Sequence, residues 1–295
     1  MPLAEIHVRD VEDFIAHQRT QAVQRRLGEN GRRKVGLSGS TVSNHVNYLH
    51  AIFAFALRRE DVEGNPVTAA AKPKVTKTSS DFSFLTPPQL DAVIHAVADD
   101  YLRQTDRTII LTAAMTGLRQ GELIALRWRD VLWADSAIHV RGSISRGIDG
   151  TPKSQTSKRE VPMGDRVARA LEHHHQASHY RADHDRVFSH PHTGRPYDPS
   201  KTRDRFYHAM RAAGLEHMIG RDGGGIVFHS LRHTFGTQMA SAGVPLVAIK
   251  DWMGHADIQT TMIYAKWGKD RAADRALVDA AFAVTDAPSA VPSRT

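Results

Sequence analysis

Residues 113–128 read AAMTGLRQGELIALRW, a helical stretch that carries an arginine and a glutamate within one turn. Gly117 precedes Arg119, and Glu122 follows Arg119 by three positions. Side chains three positions apart lie on neighbouring faces of a helix, so the Glu122 carboxylate can orient the Arg119 guanidinium. On its own, the same spacing also describes an ordinary helix with a surface ion pair.

A second helix downstream pairs a histidine with an arginine. Residues 229–243 read HSLRHTFGTQMASAG. His229 and Arg232 are three positions apart and therefore share one side of this helix, whereas His233 is expected to point elsewhere. A lone His-x-x-Arg spacing is weak evidence, because a structural histidine produces the same pattern.

The last segment of interest contains a tyrosine. Residues 253–267 read MGHADIQTTMIYAKW, with His255 beside a glycine turn and Tyr264 nine positions later on the following helix. A tyrosine most often serves in half-buried packing, but its hydroxyl can also act as a nucleophile. The segment alone does not separate these two interpretations.

The composition restricts the classes of function. Among 295 residues, 39 Lys and Arg stand against 32 Asp and Glu, a formal net charge of +7. This balance favours a polyanionic partner without distinguishing nucleic acid from a membrane surface. The lack of cysteine excludes disulfides, thiolate metal sites and a cysteine nucleophile. Because the sequence shows neither a secretory signal nor an apolar stretch of spanning length, we expect a cytoplasmic protein without membrane contact.

A lysine lies on a predicted β-hairpin between the first two segments. Residues 151–163 read TPKSQTSKREVPM and place Lys153 at or beside the turn. A lysine there is usually a solubilising charge, but it is also well placed to enter a DNA groove as a mobile cation. Lys158 lies in the same hairpin, nearer the closing strand, and is the alternative candidate.

Eighteen histidines raise the question of a metal site. Three of them are consecutive, His173, His174 and His175, but consecutive side chains point around a helix and make a poor preformed site. The sequence also lacks a G-x-x-x-x-G-K-[ST] phosphate-binding loop and an evident carboxylate cluster for two metals. We therefore expect no metal and no cofactor.

Hydrophobic periodicity predicts a mainly α (α+β) fold in two parts. Both parts are mostly helical, and the second also contains a small antiparallel sheet built from residues 137–140 and 159–162. Small residues, proline, lysines and serines between the two parts are typical of a linker. The predicted boundaries are 1–70 for the helical first domain, 71–84 for the linker, 85–282 for the mixed second domain and 283–295 for a flexible tail.

A cluster of cations separates the two main helices of the first domain. A solvated loop is one interpretation of this cluster, and a loop that contacts phosphates is the other. Glu29 is the only acidic residue among them. The cluster comprises Arg25, Arg26, Arg32, Arg33 and Lys34.

Read in order, these segments present Arg, Lys, His-x-x-Arg, His and Tyr, and in this order the chain resembles the tyrosine recombinases, including phage integrases and Xer-type recombinases. The resemblance includes the flanking context, namely T-G-L-R-x-x-E-L at 116–123, L-R-H-T-F at 231–235 and an M-G-H before I-Y at 263 and 264. It implies an enzyme that cleaves and rejoins DNA strands through a 3′-phosphotyrosine intermediate, without ATP or a metal ion.

The resemblance assigns a role to each candidate residue. Arg119, Arg232 and His255 would hold the scissile phosphate, and Tyr264 would attack it. Lys153, which matches the family position near the hairpin turn, would protonate the departing 5′ oxygen. His229 would help proton movement near the nucleophile. Glu122 would support the arginines.

The resemblance also implies partners. Double-stranded DNA would lie between a core-binding domain, residues 1–70, and a catalytic domain, residues 85–282. Four copies of the chain would assemble as a homotetramer on paired recombination sites, in association with the nucleoid. The helix at 271–282 would dock on a neighbouring copy or pack on its own domain. An accessory directionality or DNA-bending protein is a further candidate. The arm-binding domain of many integrases is expected to be absent, or the chain to be shortened. Integration of a viral genome, excision and resolution all stay open as the role.

Two alternatives compete with this interpretation. A type IB topoisomerase shares the phosphotyrosine chemistry but relaxes supercoils without site preference, and the two-domain length together with the M-G-H-to-Tyr spacing favours a recombinase. A DNA-binding protein that no longer cleaves is the non-enzyme alternative. The presence of every candidate catalytic residue argues against it.

Overall fold

A computed structural model describes residues 2–20, 37–71, 82–145, 148–150, 158–220 and 225–268 of the chain. The chain divides into two compact units, Met1–Ser79 and Ser80–Thr295. Several features predicted from the sequence lie outside the described residues: Lys153, the helix at 271–282, the tail at 283–295, most of the linker, and the cations Arg25, Arg26, Arg32, Arg33 and Lys34.

The first unit is helical, as its periodicity predicts. Ser38 begins the long second helix by accepting a hydrogen bond from the Thr41 backbone amide, and Asn65 caps the short third helix through Val67. Apolar residues three and four apart form one buried core that includes Val11, Ile15, Val42, Val46 and Phe53. The helices are α1 (Val8–Thr20), α2 (Gly39–Arg58) and α3 (Pro66–Ala69).

The second unit is built around one buried helix. This helix, Arg103–Thr116, packs against four other helices of the unit, and every residue from Thr108 to Ala114 is buried. It ends at Gly117, whose φ of 65° lies in the left-handed region, and a Cβ there would lie 2.5 Å from the Phe235 ring. The helices are α4 (Pro87–His95), α5 (Arg103–Thr116), α6 (Gln120–Ala125), α7 (Asp165–Ala177), α8 (Pro199–Ala212), α9 (Ser230–Ser241) and α10 (Leu246–Met253), followed by a 3-10 segment at Met262–Trp267.

A small antiparallel sheet interrupts the helices of the second unit. Its strands run in the order β1 (Val131–Leu132), β2 (Ala137–Val140) and β5 (Arg159–Pro162), and Ile138 pairs with Val161 in the buried register. A separate hairpin joins β3 (Ser143–Ser145) to β4 (Ile148–Gly150). The predicted fold class, mainly α with a small antiparallel sheet, is confirmed.

Two of the three consecutive histidines of α7 lie within hydrogen-bonding distance of backbone carbonyls. His174 is buried, with Nε2 2.8 Å from the Val187 carbonyl, and His175 Nε2 lies 3.1 Å from the Arg181 carbonyl. Across the described ranges, side chains of the metal-binding types do not gather in groups of three or more. Within the same ranges, every helix is too short or too polar to cross a bilayer.

Candidate active site

Glu122 holds Arg119 in place at the start of α6. The Glu122 carboxylate accepts hydrogen bonds from the Arg119 backbone amide at 2.8 Å and from Arg119 Nη1 at 2.9 Å. Arg119 Nη2 donates to the Gly254 carbonyl, again at 2.9 Å. Arg119 and Glu122 therefore lie in contact, as their spacing predicts. The hydrogen bond from Arg119 to Gly254 also connects the start of α6 to the turn after α10.

A second arginine, Arg159 on β5, shares the same carboxylate, and its part in the site was missed from the sequence. Its Nη1 and Nη2 donate to the two Glu122 oxygens at 3.1 and 2.9 Å, and its Nε donates to the Trp252 carbonyl at 2.6 Å. Only 7% of the Arg159 side chain is exposed. The available signal was the register of β5, because Arg159 lies two residues from the buried Val161 and therefore on the same face.

The shared carboxylate of Glu122 is ionised. Burial by itself raises the pKa of Glu122, but the hydrogen bonds and charges of Arg159 and Arg119 outweigh burial and lower the pKa below its ordinary value. A buried carboxylate between two guanidinium groups keeps both of them oriented.

Arg232 on α9 is almost fully buried, at 3% exposure. Its Nη1 donates to the Gly117 carbonyl and its Nη2 to the Met253 carbonyl, both at 2.5 Å. Among the described residues, none of the ion pairs joins Arg232 to a carboxylate. Burial, followed by the charge of Arg119, lowers the pKa of Arg232 to about 9, so the group is cationic at neutral pH and short of negative charge.

The two candidate histidines lie near these arginines and are uncharged at neutral pH. His255 follows Gly254, a left-handed residue with φ of 63°, and its Nδ1 is 2.8 Å from the Thr261 hydroxyl. Burial, and then the charges of Arg232 and Arg119, lower the pKa of His255 to about 3. His229, directly before α9, has a pKa lowered first by burial and then by Arg232.

Tyr264 lies in the 3-10 segment after α10 and is 1% exposed. Its hydroxyl lies 2.9 Å from His233 Nδ1, so the expectation that His233 points elsewhere is wrong. The segment folds back on the face of α9 that carries His233 and Gly236, three positions apart. Burial raises the pKa of Tyr264 to about 12, against a smaller opposing effect of the Arg232 charge.

The structure thus brings most of the candidate residues into one region of the second unit. Hydrogen bonds or direct electrostatic effects link Arg119, Glu122, Arg232, His229, His255 and Tyr264. Lys153 lies outside the described residues, and the alternative Lys158 is exposed immediately before β5. Three guanidinium groups with one carboxylate between them among the described residues, close to a tyrosine hydroxyl, form a site for an anion next to a nucleophile.

Comparison with known proteins identifies the class. The model of the phage integrase family matches residues 83–271, more than half of the chain. Curated relatives include the tyrosine recombinase XerD of Oceanobacillus iheyensis, 25% identical over 244 residues that cover 81% of this chain and 75% of the relative. Another is the ICEBs1 integrase of Bacillus subtilis, 26% identical over 242 residues that cover 78% of this chain and 62% of the relative. The chain therefore belongs to the phage integrase family, the tyrosine-type site-specific recombinases, and the predicted resemblance is confirmed.

Solved structures share the fold. The Tn1549 transposon integrase in complex with a circular intermediate DNA superposes with a TM-score of 0.70 at 22% identity, over 95% of this chain and 87% of the other. The XerH site-specific recombinase bound to a palindromic difH substrate gives a TM-score of 0.66 at 18% identity, over 94% and 73%. At these identities the likeness establishes the fold.

Proposed function

We propose that this protein cleaves and rejoins double-stranded DNA at specific sites through a covalent 3′-phosphotyrosine bond to Tyr264. The observation that carries the proposal is Arg232, a buried cation that donates only to carbonyls among the described residues. A phosphodiester supplies the missing negative charge. Membership in the tyrosine recombinases and the fold shared with DNA-bound recombinases support the same chemistry.

The arginines fit a phosphate in its transition state. Negative charge on the non-bridging oxygens repels a nucleophile and has to be stabilised as the phosphorane-like transition state forms. Nη1 and Nη2 of Arg232 each donate one N–H to a carbonyl and keep a second for a phosphate oxygen. Arg119, held by Glu122, adds a second planar donor set.

His255 adds a neutral donor to the phosphate. Because the pKa of His255 is lowered to about 3, the imidazole carries a single hydrogen at neutral pH. When Nδ1 accepts from the Thr261 hydroxyl, that hydrogen is on Nε2. The Nε2–H group then donates to a non-bridging oxygen.

Proton transfer accompanies attack and departure. With a pKa of about 12, the Tyr264 hydroxyl is a phenol at neutral pH, so its proton leaves as the bond to phosphorus forms. Lys153 acts as the general acid on the departing 5′ oxygen, and His229 assists proton movement near the nucleophile. The new phosphotyrosine bond replaces the broken phosphodiester, and therefore religation needs neither ATP nor a metal ion.

The rest of the chain serves DNA binding and assembly in this proposal. Residues 1–70 form the core-binding domain, the linker spans 71–84, and residues 85–282 form the catalytic domain, which acts in a homotetramer on paired sites at the nucleoid of the cytoplasm. An accessory directionality or DNA-bending protein joins this assembly. Phosphate contacts made by cations weaken as salt rises, which a binding titration measures. The cations assigned to phosphate contacts in the first domain are Arg25, Arg26, Arg32, Arg33 and Lys34.

The experiment that tests the proposal traps the covalent intermediate. A tiled set of labelled duplexes from the DNA that flanks the coding sequence, each nicked near the tested phosphate, is incubated with the protein in the presence of a metal chelator. A denaturant-resistant protein–DNA adduct is expected with the wild type and none with Tyr264→Phe.

Tyr197→Phe is the matched control, because Tyr197 is equally buried but donates its hydroxyl to Asp106 instead. This variant is expected to form the adduct at the wild-type rate. DNA binding without an adduct on any duplex would overturn the proposal in favour of a non-cleaving DNA-binding protein. Adducts on every duplex, with relaxation of any supercoiled plasmid, would overturn it in favour of a topoisomerase.

A further inference from the structure

The hydroxyl of Tyr264 contacts a histidine that the family-based assignment of roles leaves without a function. Tyr264 Oη lies 2.9 Å from His233 Nδ1. Among the described residues, His233 is the one hydrogen-bond partner of this hydroxyl. His229, to which the assistance of proton movement was assigned, contacts His233 ring to ring at 5.5 Å instead. His233 is therefore the imidazole that touches the reacting oxygen.

The imidazole of His233 is fixed on two sides. It stacks on Phe82 with ring centroids 4.4 Å apart and an interplanar angle of 24°, and His229 meets it edge-on at 87°. Rings held in this way keep the direction of their nitrogens. The packing around α9 therefore fixes the orientation of Nδ1 toward Tyr264.

The tyrosine is fixed to match. Phe82 also contacts the Tyr264 ring edge-on, with centroids 5.4 Å apart. Gly236 leaves room for that ring, because a Cβ at position 236 would lie 2.5 to 2.8 Å from three of its carbon atoms. One helix face, with a histidine and a glycine three positions apart, thus receives the hydroxyl and the ring of one tyrosine.

We propose that His233 is a catalytic residue, which accepts the proton of Tyr264 Oη during strand cleavage and returns it during religation. This inference rests on the proposed function and names a further residue for the same reaction. In cleavage, the bond from Tyr264 Oη to phosphorus forms while the bond from phosphorus to the 5′ oxygen breaks. The tyrosine proton passes to His233 Nδ1, and the 5′ oxygen takes a proton from the general acid Lys153.

Religation reverses each transfer. The incoming 5′ hydroxyl gives its proton to the neutral lysine and attacks phosphorus, and the phosphotyrosine bond breaks. The departing Tyr264 oxygen takes back the proton from the His233 imidazolium. The two steps together consume no proton and no electron, so the cycle balances without a further reactant.

The electrostatics of His233 suit a proton acceptor whose strength depends on bound DNA. Burial, and then the interactions with His229 and Arg232, lower the pKa of His233 to about 4, so the imidazole is uncharged at neutral pH. In the tautomer with its hydrogen on Nε2, Nδ1 presents its lone pair to the Tyr264 hydroxyl. A phosphodiester bound to the arginines brings negative charge that opposes this lowering. The imidazolium is thus strongly disfavoured in the free protein and less disfavoured where substrate is bound.

Single-turnover formation of the covalent adduct, with protein in excess over a nicked duplex, tests the inference with three substitutions. His233→Phe keeps a ring against Phe82 but has no acceptor, and His233→Asn keeps an acceptor that cannot take a proton. Both are expected to lower the rate about 10²-fold or more, the usual range for a lost general base. His233→Ala is expected to be equally slow and to recover in part when free imidazole is added.

The controls separate this inference from the proposed function. Wild-type affinity for the intact duplex reports that each variant is folded, and Tyr264→Phe is expected to give no adduct with or without imidazole. A wild-type rate in His233→Asn would show that position 233 supplies only a hydrogen bond and accepts no proton. Faster adduct formation in His233→Phe would show that the hydrogen bond from His233 restrains Tyr264 and does not activate it. Either result overturns the catalytic role of His233 while the proposed function stands. Failure of the wild type to form an adduct overturns both.

Discussion

Two clusters of charged side chains, each containing a buried carboxylate, lie at opposite ends of α5, and they differ in how their charges are matched. Near the start of the helix, Asp106 accepts hydrogen bonds from Tyr197 and Arg205, and Arg205 also donates to Asp100 at 2.7 and 2.9 Å. We call these four residues the Asp106 cluster. Beyond the end of the helix, the Arg232 cluster places three guanidinium groups around one carboxylate among the described residues; it comprises Arg119, Glu122, Arg159 and Arg232.

The two arginines at the centre of these clusters have pKa values that move in opposite directions. Burial lowers the pKa of Arg205, but hydrogen bonds to Asp100 and Asp106 outweigh burial and raise it above its ordinary value. For Arg232, burial and the repulsion of Arg119 act together and lower the pKa to about 9. A network whose charges are all paired within the protein has a structural role, whereas cations in excess over carboxylates predict an anionic ligand.

The largest effect is expected from the same substitution at these two arginines. Arg232→Met removes a donor to the phosphate, and we expect adduct formation to slow by about 10³-fold, as for the loss of one preorganised donor at a charged transition state. Its folding should suffer little, because the variant also removes a buried cation that lies close to Arg119. Single-turnover adduct formation and urea unfolding measure the two effects.

Arg205→Met is the matched control for that comparison. It leaves Asp106 without its cation, and breaking such a pair is expected to reduce the free energy of unfolding by about 3 kcal/mol. At temperatures where the variant stays folded, adduct formation should proceed at the wild-type rate. Equal losses of activity in the two folded variants would remove the distinction between the clusters.

A smaller effect is expected from a change that moves the nucleophile and leaves every charge in place. Gly236→Ala puts a Cβ within 2.8 Å of the Tyr264 ring, so the ring has to shift. A displacement of about 1 Å at a reacting group can lower a rate by about 10²-fold, and we expect a loss of this size with unchanged affinity for intact DNA. In Gly164→Ala the new methyl group meets open space, and that variant should retain full activity.

Local patterns in the sequence predicted much of the fold and part of the site. The three-residue spacing of Arg119 and Glu122 was sufficient to pair them, although Arg119 is the N-cap of α6 and Glu122 reaches back to it from the first turn. The strands at Ala137–Val140 and Arg159–Pro162 followed from equally local signals.

Contacts between distant segments were not visible in those patterns. Arg159 reaches Glu122 across 37 positions, and His233 reaches Tyr264 across 31. Helical periodicity separates the faces of α9 but does not show which face a later segment will cover, and therefore His233 was assigned to the wrong surroundings. The buried arginine on β5 could have been suspected, because it shares a face with Val161.

The smallest expected effect concerns the pH dependence of folding at Glu122. Its pKa in the folded protein lies below the ordinary value, so folding favours the ionised carboxylate. The stability that Glu122 contributes is therefore fully present above the ordinary glutamate pKa of about 4.3 and is lost as the pH falls through the lower value of the folded state. Glu122→Gln removes the charge but keeps one acceptor oxygen for the arginines.

We expect Glu122→Gln to reduce the free energy of unfolding by about 2 to 3 kcal/mol at pH 7, somewhat less than the removal of a whole partner from a buried pair. As the pH of a urea titration is lowered below about 4.3, the difference between wild type and variant should narrow, because the Glu122 carboxylate of the unfolded wild type takes up a proton before that of the folded protein does. A difference that stays constant across this range would mean that the arginines are held by the shape of the Glu122 side chain and not by its charge. In that case the contrast with the Asp106 cluster would rest on Arg232 alone.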